Sequence, residues 1–153
     1  MKLSDIVCFE AVVPQMESVE RDEVIAELVN ALEKAGKLGK AKSDEIINAV
    51  IARENEASTG IGKNVAVPHV KHPAIKDVVA VIGSSSEGID FSSLDKQPVH
   101  SVILLLSPEG NPDKHLQAME NIFRNLQKED FRKFLRQATT VKAIKEAIVD
   151  QDA

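Results

Sequence analysis

Three stretches constrain this chain more than anything else in it. Residues 65–67, 78–82 and 99–106 are β-branched or continuously apolar, and each is bounded by turn residues. Such runs read as strands buried on both faces, because a strand with one wet face alternates polar and apolar side chains. A sheet covered on both sides needs helices above and below it, and the flanking sequence supplies them. Val24, Ile25, Leu28, Val29 and Leu32 follow the spacing of one buried helix face. They predict a helix from Ser18, as N-cap, to about Ala35, with Gly36 placed to stop it. A second helix is expected after Ser43, with Ile46, Ile47, Val50 and Ile51 as its stripe, fraying near Asn55. After Pro108 and Gly110 the helical period returns, with Asn111 as N-cap and Pro112 at the first helical position. Leu116, Met119, Phe123 and Leu126 form its expected buried face, and shorter helices are expected near Asp130 and Thr140. Residues 9–13, before Pro14, add a candidate strand. Helix pair, strands, helix group: the order predicts one α/β domain over residues 1–153, a largely mixed sheet layered between helices.

Composition narrows the function classes. A chain of 153 residues with 43% hydrophobic content suits a single sizeable core. The net charge of −5, from 24 acidic and 19 basic residues, argues against a nucleic-acid surface, which needs a basic face. With no Trp, no Tyr and five Phe there is little material for base stacking. One cysteine, Cys8, excludes an intrachain disulfide and fits a reduced compartment. Residues 1–14 lack a charged-then-apolar leader, and the longest apolar run, residues 102–106, is far shorter than the roughly 20 residues of a membrane span. The expectation is a cytoplasmic protein with no direct membrane insertion.

Nucleophile candidates are few. The histidines are His69, His72, His100 and His115. Gly62-Lys63 fails as a phosphate loop because Asn64 follows where Ser or Thr is needed. Residues 59–62 fail as a dinucleotide fingerprint because they follow a helix and Val65 takes the third glycine position. His69 and His72 have a weak metal spacing with no Cys nearby, and no metal site is expected. His72 reads as an exposed loop residue and His100 as a strand histidine. His69 ends a short buried strand behind the restraining ring of Pro68. It reads either as an ordinary loop histidine or as a nucleophile in a crevice, since a neutral imidazole attacks phosphorus competently and forms a labile P–N bond. His115 falls in the first turn of the helix capped by Asn111. It either packs beside Met119 or, held neutral by the helix dipole, donates to an anion. Arg53 either satisfies helix-end carbonyls or offers a guanidinium fork to a phosphate. Gly60 and Gly62 after it let main-chain N–H groups come close to such a group.

Together these residues resemble a known family. Arg53-Glu54, then Ser58-Thr59-Gly60-Ile61-Gly62, then Ala66-Val67-Pro68-His69 are similar to the enzyme IIA domains of the fructose/mannitol/nitrogen-regulatory class of the sugar phosphotransferase system. Ile89-Asp90-Phe91, Asp95, Pro98-Val99, the run to Leu106-Ser107-Pro108, and His115-Leu116 continue the match, over about residues 5–150. Ala57 and Asn64 stand where the family often has Gly, and Asn tolerates positive φ better than most residues. The resemblance implies a three-layer α/β/α sandwich with a mixed β-sheet. It implies a phosphotransferase component in which His69 takes a phosphoryl group from HPr or a paralogue and passes it to an enzyme IIB, or in which the phosphorylated state switches a regulatory partner. His115 matches the second active-site histidine and Arg53 the charge-compensating arginine. Thr59, Gly60 and Gly62 are the implied phosphate-side loop. No cofactor is implied.

Overall fold

The computed structural model describes residues 1–152. In chain order the elements are α1 (Leu3–Ile6), α2 (Arg21–Lys34), α3 (Ser43–Glu56), β1 (Gly60–Gly62), β2 (Val65–Ala66), β3 (His69–His72), β4 (Val79–Ile89), β5 (Val99–Pro108), α4 (Pro112–Leu126), α5 (Glu129–Gln137) and α6 (Val141–Asp152), with a 3-10 turn at Phe9–Ala11. β5 is the centre of a mixed sheet. Along one side it pairs in parallel with β2 and then β3, and along the other it pairs antiparallel with β4. β1 extends the sheet antiparallel to β2. Lys63 and Asn64 link these two strands, both at positive φ (57° and 67°), the conformation a two-residue hairpin turn needs. Asn64 thus stands without a glycine at a position that favours one.

The alternation of side chains along β4 and β5 divides the interior into two layers of core. Val81, Val102, Leu104 and Leu106 join Val24, Leu28, Ile46 and Val50 from α2 and α3. Ala80, Ile82, Ile103 and Leu105 join Leu3, Ile122, Phe131, Leu135 and Ile148 from α1, α4, α5 and α6. The three-layer α/β/α arrangement follows, and the apolar runs are continuous because both strand faces are dry. Each fully buried Leu, Ile or Phe side chain contributes about 1.5–3 kcal/mol.

Several elements differ from the sequence reading, each for a local reason. Residues 9–13 form no strand: the 3-10 turn interrupts the pairing with β4, which is reduced to isolated bridges of Val7 to Ala80 and Val13 to Gly83. α2 begins at Arg21 rather than after Ser18, because the Glu27 carboxylate reaches back and accepts from the Glu17 and Ser18 N–H groups (3.2 and 3.1 Å). Its end is as expected. Gly36 at φ +73° lets Lys37 N–H donate to Leu32 and Gly36 N–H to Glu33. α4 starts at Pro112 with Asn111 as cap, accepting from Lys114 N–H. Its buried face is rotated, however: Ala118, Asn121, Ile122, Asn125 and Leu126 face inward, and Leu116 is 57% exposed. Two amides carry that face, Asn121 donating to the Met1 carbonyl and Asn125 to Asn121. No described helix is long and apolar enough to cross a membrane.

Candidate functional site

β2 and β3 are one line of chain along β5, interrupted at Val67-Pro68. The register does not slip: Ala66 lies opposite Val102 and His69 opposite Leu105. Pro68 has no N–H to give the ladder but its carbonyl still accepts from Leu105 N–H at 3.0 Å. His69 therefore begins β3 rather than ending the strand before it. His72, expected in a loop, is the last residue of β3, half-buried, with Nδ1 accepting from Ala74 N–H at 3.1 Å. A spacing of three puts His69 and His72 on opposite faces of the strand, so they do not form a ligand pair. His100 lies on β5, its Nδ1 2.8 Å from the Ser85 carbonyl.

Pairing also decides what His69 faces. Opposite residues of parallel strands share a face, so His69, Lys71, Leu105 and Ser107 all look toward the layer of α4. The first turn of α4 brings His115 there, and the two imidazoles stand 5.8 Å apart between ring centres, tilted by 40°. His69 Nδ1 is 2.7 Å from the Val67 carbonyl. A carbonyl only accepts, so Nδ1 carries the proton and Nε2 the free lone pair. His115 Nδ1 is 2.7 Å from the buried Ser107 hydroxyl. Both rings are thus tied at Nδ1, and neither Nε2 has a hydrogen-bond partner among the described residues.

Arg53 lies in the last turn of α3, which packs against β3, and its charge acts on His69. Its Nη1 donates to the Ala57 carbonyl at 3.0 Å, and it makes no ion pair among the described residues. The next residue, Glu54, is 2% exposed. Its carboxylate accepts from both Thr59 N–H and Thr59 Oγ, each at 2.6 Å. Gly60 N–H in turn donates to Ser58 Oγ at 3.0 Å. The loop that the sequence assigns to the phosphate side thus spends these donors on bracing itself. A Cβ at Gly60 would strike the Ser93 side chain, and Gly62 sits at φ +89°, so close packing demands the first glycine and backbone conformation the second.

Burial, the largest influence, holds the His69 imidazole below its ordinary pKa of 6.5; Arg53 and Lys71 lower it further, while the Val67 carbonyl and Glu54 oppose them. His115 is lowered as well, first by burial and then by His69 and Lys71. Both rings are thereby biased toward the neutral form, and the fixed charge acting on His69 is mainly cationic. The arrangement offers one in-plane lone pair beside a second imidazole, with the charges of Arg53 and of the exposed Lys71 acting on His69, which suits a nucleophile that receives an anion. Three contributors escape the sequence reading. Ser107 and Glu54 appear there only as letters of a pattern, because nothing local says what they touch. Lys71 shares the face of His69 two residues on, which is legible only once the segment is known to be a strand.

The sequence profile of the family described as phosphoenolpyruvate-dependent sugar phosphotransferase system, EIIA 2, matches residues 8–151. The chain is 35% identical over 152 residues to the PTS system fructose-specific EIIABC component of Bacillus subtilis, covering 99% of this chain and 24% of that protein. It spans about a quarter of that relative. It is 33% identical over 144 residues to the nitrogen regulatory protein of Bradyrhizobium diazoefficiens, covering 94% of this chain and 92% of the relative. Among solved structures, the nitrogen regulatory protein IIA-Ntr of Neisseria meningitidis superposes with a TM-score of 0.86 at 23% identity, over 95% of this chain and 98% of that one. The mannitol enzyme IIA in its complex with phosphorylated enzyme IIB from Escherichia coli gives 0.77 at 20% identity, over 92% and 95%.

Proposed function

The chain belongs to the type 2 enzyme IIA family of the phosphoenolpyruvate-dependent sugar phosphotransferase system, and on that premise we propose that it carries a phosphoryl group on Nε2 of His69. The group arrives from a phosphorylated HPr-type carrier and leaves for an enzyme IIB. The observation that supports this most directly is the 2.7 Å contact of His69 Nδ1 with the Val67 carbonyl, which leaves Nε2 as the attacking atom. In the transfer, the Nε2 lone pair attacks phosphorus in line. A P–N bond forms as the donor's P–N bond breaks, and the bonding pair returns to the donor imidazole. His69 keeps its Nδ1 proton throughout, and the positive charge that its ring gains is met by the Val67 carbonyl. Arg53, Lys71 and His115 face the phosphoryl oxygens, so the protein's part is positioning and charge stabilisation. No metal or soluble cofactor enters this reading. The chain acts as one enzyme IIA unit, in the cytoplasm.

A second reading has its own support: the chain covers 92% of a free-standing nitrogen regulatory protein. In that role the dianionic group on His69 changes the charge of the docking face and so selects a regulatory protein partner. The test is incubation with enzyme I, HPr and phosphoenolpyruvate, followed by intact mass measurement. Wild type gains one phosphoryl mass, acid-labile and base-stable, and His69→Ala gains none while folding normally. An undiminished mass gain in His69→Ala removes the assignment. Chase onto an enzyme IIB cysteine favours transport, and phosphorylation-sensitive capture of a kinase or channel favours regulation.

A further inference from the structure

We propose that Ser107 is a positioning residue that donates its hydroxyl proton to His115 Nδ1, so that His115 presents an N–H at Nε2 to the phosphoryl group. The inference rests on the phosphoryl-carrier reading for its consequence, but on geometry alone for the hydrogen bond.

The starting point is the strand. Ser107 continues the stripe of Ile103 and Leu105 on β5, the face that meets α4. It is fully buried (0% exposed), and its Oγ has one hydrogen-bond partner among the described residues, His115 Nδ1 at 2.7 Å. The proton in that bond can sit in either of two places. If Nδ1–H donates to Oγ, the buried hydroxyl hydrogen has no acceptor, and an unmade buried donor is costly. If Oγ–H donates to Nδ1, the hydroxyl is satisfied and the ring carries its proton at Nε2. The second arrangement leaves nothing orphaned. It also differs from His69, whose Nδ1 meets an obligate acceptor. The paired imidazoles are therefore set in opposite tautomers: His69 with a bare Nε2 that attacks, His115 with a protonated Nε2 that donates. An apolar residue in place of Ser107 would leave the strand and core intact yet release the His115 ring.

A positioning role and a packing role for Ser107 are separable by experiment. Nitrogen-15 NMR of His115, with a pH titration, is run on wild type, Ser107→Ala and Ser107→Thr, alongside single-turnover phosphoryl transfer from HPr. Wild type shows His115 protonated at Nε2 with Nδ1 as a hydrogen-bond acceptor. The Ser107 bond favours the neutral ring, so its removal in Ser107→Ala moves the His115 titration upward toward 6.5, while His69 and Lys71, which also face the ring, are unchanged. Transfer slows roughly 2- to 13-fold, the rate equivalent of one net hydrogen bond. Ser107→Thr keeps the hydroxyl and restores both. A wild-type His115 protonated at Nδ1 overturns the inference, as does a titration in Ser107→Ala that stays put or moves down. Slower transfer in Ser107→Ala with an unmoved His115 titration assigns Ser107 to packing alone and overturns it too. A wild type that takes no phosphoryl group fails the proposed function, while the NMR titration still decides the tautomer.

Discussion

At the scale of single residues, the site works by denying choices. His69 has one nitrogen committed to a carbonyl, and its burial, with Arg53 and Lys71, keeps the other unprotonated. Phosphoryl acceptance should therefore stay level as pH falls through 6.5, the ordinary histidine value, and decline only below it. In Arg53→Ala a cation that opposes protonation is gone, so the decline should begin at higher pH. Identical profiles would remove Arg53 from the electrostatics of His69. Arg53→Lys separates charge from shape: the ammonium keeps the repulsion but loses the planar fork, so it should retain the wild-type profile with a lower plateau. Equal plateaus for the three proteins would leave Arg53 as a cation bound to the Ala57 carbonyl and nothing more. His69, His115 and Arg53 stand out in the sequence as candidates by residue type and position, but only the resemblance to the enzyme IIA family joins them into one proposed site. Ser107 does not stand out, because a serine in an apolar strand announces no partner. Only the parity of β5 against the first turn of α4 supplies one.

At the scale of elements, the sequence reads well where one segment decides its own fate and poorly where another segment decides it. The α2 terminus and the α4 start are local capping events, and both fall where Gly36 and Asn111 predict them. β3 is invisible for the opposite reason. The segment His69-Val70-Lys71-His72 has one apolar residue between two prolines and becomes a strand because β5 offers it a ladder. Residues 9–13 show the reverse, a strand-like composition with no ladder to join beyond the single bridge of Val13 to Gly83. Glu54 joins both kinds of element: it sits on α3 but spends its carboxylate on Thr59 at the mouth of β1. Glu54→Ala strands the Thr59 N–H and hydroxyl in a nearly dry position, and should cost about 1–3 kcal/mol for an orphaned buried donor, measured by urea unfolding. Glu54→Gln should be far milder, since its carbonyl can accept from the N–H while the Thr59 hydroxyl turns to accept from the amide. If Ala and Gln cost the same, the carboxylate braces nothing, and the loop holds its shape through Ser58 and Gly60 instead.

At the scale of the whole molecule, the same proton chemistry that readies the site sets the stability of the fold. His69 and His115 both have folded values below 6.5. Well above pH 6.5 both are neutral in the folded and unfolded chain and contribute no slope. As pH falls below 6.5 the unfolded chain binds protons first, so stability is lost until the folded rings protonate too. A second, more acidic window belongs to carboxylates. Burial works against the ionised form of Asp152, but the Ser4 side chain, with the Ser4 and Leu3 N–H donors that the carboxylate caps, outweighs burial and holds its carboxyl below 3.8. Asp95 is also lowered, by Gln97 and Lys63 N–H. Stability from these groups is present above 3.8 and lost as pH falls through their folded values. Unfolding free energy measured against pH should thus show two separate descents, the first tied to the site on α4 and β3, the second in part to the α1–α6 contact. The double variant His69→Gln with His115→Gln should flatten the first and spare the second, whereas Asp152→Asn should shrink the second and spare the first. A first descent that survives in the double variant would place the proton uptake elsewhere in the chain, and with it the idea that the neutral pair is held at a cost in acid stability would fall.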